Sequence, residues 1–91
     1  QSFKSVVSLE YPRPGIWVLG FVSGSTPATW TNAPPDERLL NVFVPTSPNP
    51  TSGFMLIVAE SQVRDVDWSV PEAMNTVISG GLLGPEKLVE K

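Results

Sequence analysis

Polar and apolar residues alternate from Phe3 to Tyr11. Phe3, Val7, Leu9 and Tyr11 fall on one side, and Lys4, Val6, Ser8 and Glu10 on the other. A period of two is that of a half-buried strand. Pro12-Arg13-Pro14-Gly15 then forces a turn, since each proline fixes φ and removes a donor. Ile16–Val22 is apolar on both faces, with Ile16, Val18 and Val22 against Trp17, Leu19 and Phe21. The pattern predicts a hairpin of 3–11 with 16–22. Residues 23–38, SGSTPATWTNAPPDER, carry neither period and read as a polar connection, long for a compact domain.

Leu40–Val44 and Gly53–Ala59 are the third and fourth predicted strands. Leu40, Val42 and Val44 share a face; Phe54, Leu56 and Val58 oppose Met55, Ile57 and Ala59. Between them Pro45, Pro48 and Pro50, closed by Thr51-Ser52-Gly53, make a stiff turn. Glu60–Arg64 reads as a turn or one helical turn, and Asp65–Trp68 as a short fifth strand with Val66 and Trp68 inward. One helix follows. Ser69 caps it, Glu72 three residues on completes a capping box, and Pro71 is tolerated in a first turn. Val70, Ala73, Met74, Val77 and Ile78 form its apolar stripe, and Gly80-Gly81 stops it.

These elements predict an α+β domain: a curled, mostly antiparallel sheet of four to five strands with one C-terminal helix. Residues 1–85 form a single soluble domain and 86–91 a loose charged tail. One helix of about ten residues covers one face of a sheet. The strands 16–22 and 53–59 are apolar on both, so the second face needs a cover. Barrel curvature, another chain or the rest of a longer protein would each supply it.

Composition narrows the chemistry. The 91 residues include no cysteine and no histidine. Disulfides, thiolate chemistry and the commonest general base near neutral pH are therefore absent from these residues. The net charge is −3, with six basic residues scattered along the chain, so no basic patch is present to hold nucleic acid. No cofactor is implied. No apolar run reaches the ~18 residues of a membrane span. The chain begins without Met and inside an alternating segment, which reads as a piece of a longer protein.

The polar loop 46–52 concentrates hydroxyls and an amide: Thr46, Ser47, Asn49, Thr51 and Ser52. A Ser or Thr nucleophile needs a base, and only Lys4, Lys87, Lys91 or a carboxylate is available. Asn49 and Thr51 fit better as groups that bond their own backbone, and Asn49, Thr51 and Ser52 as the rim of a binding loop. Arg13, between two prolines, is placed to meet a carboxylate or phosphate. Trp30, in a polar connection, either folds back over a hydrophobic edge or is displayed as a contact. Glu60, Asp65 and Asp67 lack the further ligands of a cation site and read as solvated charges.

Three motifs resemble a known family. They are Glu10–Val22 (EYPRPGIWVLGFV), Val42–Gly53 (VFVPTSPNPTSG), and the group Ser69-Val70, Glu72-Ala73 and Ile78–Gly81. The chain resembles, over about residues 5–85, the domain-of-unknown-function 502 family, to which the plant continuous-vascular-ring-like proteins belong. The resemblance implies a small integral membrane protein with two spans upstream of this domain, found in bacteria and in plant endomembranes. It suggests a role in tissue patterning and protein sorting. It implies no activity, cofactor or catalytic residue.

The resulting expectation is a non-enzymatic soluble head of a membrane protein, acting by self-association or by binding other membrane proteins; the sequence leaves the side of the membrane open, with the cytoplasmic side favoured. An accessory or gating domain of a transport system is the alternative, and a hydrolase using a Ser or Thr of the 46–52 loop a third.

Overall fold

The structure, a computed structural model, describes residues 2–85. The charged segment 86–91 lies outside the described residues. Five strands and one helix follow in order: β1 Ser5–Glu10, β2 Trp17–Thr26, β3 Leu39–Pro45, β4 Gly53–Ala59, β5 Arg64–Val66 and α1 Val70–Ile78. Short 3-10 turns at Ala28–Trp30 and Glu60–Gln62 interrupt the connections. All strand pairs are antiparallel, in the order β4-β3-β2-β1-β5. The fold is α+β, with an open five-stranded sheet and one helix, as the periodicity predicts.

The sheet is curled. β4 and β5 occupy opposite edges, about 19 Å apart across four flat inter-strand gaps. Only Glu60–Val63 joins them, and with its 3-10 turn this link reaches about 13 Å. The edges must therefore be drawn toward one another. On the concave face Val7 and Leu9 of β1 meet Leu56 and Val58 of β4 in one cluster with Val22, Leu40, Val42 and Val44, although two strands lie between them. The ring of Tyr11 reaches Phe54 at 6.2 Å across the same hollow. Gly20 makes the curl possible: an added Cβ would stand 2.4 Å from Val42 Cγ1. Curvature thus covers part of the second apolar face within the domain, leaving Leu56 and Val58 half-buried and Phe54 exposed.

Helix α1 covers the convex face. Val6, Phe21, Val66 and Ala73 form its core, with Val70, Met74, Val77, Phe43 and Trp68 packed around them. The capping box forms as the sequence predicts: Ser69 N donates to Glu72 Oε1 (2.8 Å) and Glu72 N to Ser69 Oγ (3.2 Å). Gly80 and Gly81 end the helix at φ +67° and +90°, a region other residues avoid.

Five local expectations are corrected. Strand β1 is buried on both faces, because it runs between two cores, and Val6 and Val7 are equally enclosed. Phe3 precedes the ladder and turns to the helix side, where its ring lies parallel to that of Phe43 at 5.8 Å. β2 continues through Ser23–Thr26, past a register shift between Val22 and Gly24, and Thr26 Oγ1 donates to Asn41 Oδ1 in the neighbouring strand. β5 is Arg64–Val66 rather than 65–68, and Ile78 stands outside the helix-facing cluster.

Candidate functional site

The loop Thr46–Ser52 is tied to itself. Thr46 N donates to the Ser52 carbonyl (2.8 Å) and Thr46 Oγ1 to that of Asn49 (2.5 Å). Asn49 Oδ1 accepts from both Thr51 N (3.1 Å) and Thr51 Oγ1 (2.8 Å), an Asx turn. Ser47 Oγ reaches the Val77 carbonyl near the end of α1 at 2.6 Å, anchoring the loop to the helix. The Ser47–Pro48 and Tyr11–Pro12 bonds are cis. Thr51 also borders a groove of about 430 Å³ with Phe3, Phe43, Pro50 and Met74.

Arg13 and Trp30 lie elsewhere. The turn after β1 is closed by Tyr11 N donating to the Ile16 carbonyl (2.8 Å) and by Gly15 N donating to Glu10 Oε2 (2.5 Å). Arg13 Nη1 donates to the adjacent Pro14 carbonyl (3.3 Å). This turn overhangs a cleft of about 500 Å³ at the mouth of the hollow, floored by Leu9, Leu56 and Val58 and walled by Tyr11, Trp17 and Arg64. Trp30, in the turn between β2 and β3, is 63% exposed. The structure brings Asn49, Thr51 and Ser52 together and leaves Arg13 and Trp30 apart from them. Glu60 pairs with Arg38 (3.3 Å). Among the described residues no group of His, Cys, Asp or Glu is placed to hold a metal. The Glu72 carboxyl is held below the usual carboxylate range, chiefly by the Ser69 amide it accepts from and then by the Ser69 side chain.

The edge of the sheet beside the cleft is unpartnered among the described residues. Thr46 N→Ser52 O and Glu60 N→Arg38 O flank the β3–β4 ladder and fix its parity. Phe54, Leu56 and Val58 exchange bonds with β3, so the N–H and C=O groups of Gly53, Met55, Ile57 and Ala59 point away from the sheet. None of these backbone groups has a partner among the described residues. β4 carries no charge and no proline over seven residues, and Phe54 and Met55 are 57% and 60% exposed. β5, at the other edge, is three residues long and presents exposed Arg64 and Asp65. The alternation within 53–59 shows that a strand is there. Its place at the edge depends on the strand order, which periodicity does not encode.

Comparison with known proteins finds relatives by sequence. "Protein LIKE COV 1" and "Protein CONTINUOUS VASCULAR RING 1", both of Arabidopsis thaliana, are each 34% identical over 88 residues. These stretches take in 97% of this chain but 33% and 32% of the two relatives, and "Protein LIKE COV 2" of the same plant is 28% identical over 85 residues. The chain thus spans about a third of the length of the curated relatives it matches. No solved structure matches. The pattern described as "Protein of unknown function (DUF502)" matches residues 1–52, and the chain belongs to that family.

Proposed function

We propose that this domain is a non-enzymatic binding head of a membrane-attached protein, and that it works through the β4 edge. One observation carries the reading: the two edges of the sheet are treated in opposite ways. Natural sheets guard their edges with charge, proline or brevity, because open N–H and C=O rows recruit other strands. β5 is short and charged, whereas β4 is long and uncharged and carries exposed Phe54 and Met55. The hydroxyls of Thr46 and Thr51 are engaged in holding their own loop, which supports a structural role for it over a nucleophilic one. Attachment to the membrane is a further part of the proposal, resting on the family. No helix among the described residues is long and apolar enough to cross a bilayer.

The test is chemical cross-linking of the full-length protein in its own membranes, parent against Met55→Lys. Met55 is exposed, so the substitution leaves the folded domain intact. Loss of a discrete cross-linked species in the variant supports the reading. An unchanged cross-linking pattern at equal abundance refutes it.

A further inference from the structure

The geometry points to a second copy of this chain as the strand that covers β4. This inference rests on the binding reading and names its partner. In an antiparallel pair about a two-fold axis, only residues whose backbone points outward can exchange hydrogen bonds. Those are Gly53, Met55, Ile57 and Ala59. Centring the axis on Leu56 pairs Met55 with Ile57 of the other copy and Gly53 with Ala59, which uses every open group along the strand. Leu56 then faces its own counterpart in a non-hydrogen-bonded pair, and Phe54 faces Val58.

The strand is self-complementary in this register. GFMLIVA places an apolar residue or glycine against an apolar residue at every position on both faces, and no charge meets a like charge. Turning the strand against itself therefore exacts no electrostatic penalty, which the charged β5 edge would. The hollow is continuous with the pairing surface, since Leu56 and Val58 line both. Seven residues make an edge about 23 Å long. That is short of a standard interface, so the isolated chain forms a weak, concentration-dependent dimer. Attachment of two copies to one membrane would raise their effective concentration.

Single cysteines test the register cleanly, because the chain has none of its own. Leu56→Cys is expected to form a disulfide dimer, since facing residues of a non-hydrogen-bonded pair lie about 4.5 Å apart at Cα, within the range a disulfide spans. Because Leu56 also contributes to the concave core, a milder pair of variants accompanies it. Met55→Cys mixed with Ile57→Cys bridges, while neither does so alone. Sedimentation equilibrium of the 91-residue parent should show dimerisation, with Met55→Lys weakening it at least about tenfold by placing a charge on each copy's edge. A parent that stays monomeric to about 1 mM overturns the inference, as does bridging by Met55→Cys alone or a dimer indifferent to Met55→Lys. If the parent is monomeric but Met55→Lys still removes the cross-linked species from membranes, the partner is another protein. In that case the binding reading survives without self-pairing.

Discussion

Replacing Gly20 by alanine tests the account of how the sheet closes on itself. The new methyl would stand 2.4 Å from Val42 Cγ1, 3.3 Å from Leu9 Cδ2 and 3.4 Å from Val7 Cγ2. Carbon atoms pack best at about 3.5–4.0 Å, so Val42 must retreat by roughly 1 Å or more. Val42 is fully buried and β-branched, with little rotamer freedom, so the retreat moves β3 itself. Overpacking of this kind costs about 1–3 kcal/mol. Loss of glycine's freedom in the unfolded chain returns about 0.4–1 kcal/mol. The net destabilisation is about 1–2 kcal/mol, a fall in the thermal midpoint of roughly 4–16 °C for a domain of this size. Val42→Ala alone removes two buried methyl groups and costs about 2–3 kcal/mol. In the double variant the alanine at 20 enters the space Val42 vacates, so the combined loss falls short of the sum by at least ~1 kcal/mol. Urea denaturation of the parent, both single variants and the pair measures this. A Gly20→Ala variant as stable as the parent, or strictly additive losses, would refute the contact.

Other expectations are simpler. Ser69→Ala deletes the acceptor for the Glu72 amide and should cost about 1 kcal/mol, read as a lower urea midpoint. The Glu72 carboxyl is held below its usual value in the folded state, so its stabilisation is complete above the unfolded pKa and lost as pH falls through the folded one. Glu72→Gln should therefore lower the thermal midpoint near pH 7, with a deficit that shrinks as pH falls through the carboxyl's folded pKa; a deficit that does not shrink on acidification would count against the box. Trp68 Nε1 is buried without a hydrogen-bond partner among the described residues. Trp68→Phe removes that orphan along with some apolar area, and calorimetry should find a loss under about 1.5 kcal/mol, well below the ~3–5 kcal/mol of Phe21→Ala.

Much of the fold is written locally. The strands follow from alternation, and the start of α1 follows from Ser69 and Glu72, whose contacts span only four residues. What escapes the pattern depends on distant partners. Ser23–Thr26 reads as loop because it is polar, yet β3 supplies its ladder and Asn41 its side-chain bond. Phe3 belongs by parity to the hollow, but it precedes the ladder and stacks on Phe43, forty residues away. The candidate edge was half legible. The apolar character of 53–59 and its need for a cover are plain from composition. That its concave side packs in part against β1, while its backbone rim stays unpaired among the described residues, depends on strand order and hydrogen-bond parity.

The four-residue link from β4 to β5 also bears on how the chain reaches its folded state. Val6 and Val66 pair in the sheet but stand 60 positions apart. Closing so large a loop directly is slow and entropically unfavourable. Once β4 has docked on β3, however, the curl delivers the start of β5 to the flank of β1, and only Glu60–Val63 remains to be ordered. A remote encounter becomes a neighbouring one. We expect the β1–β4 meander to form first, with β5 and α1 joining it last and opening from it first. Native-state amide exchange should then find Val66 less protected than Phe21 or Val42, although all three side chains are equally enclosed.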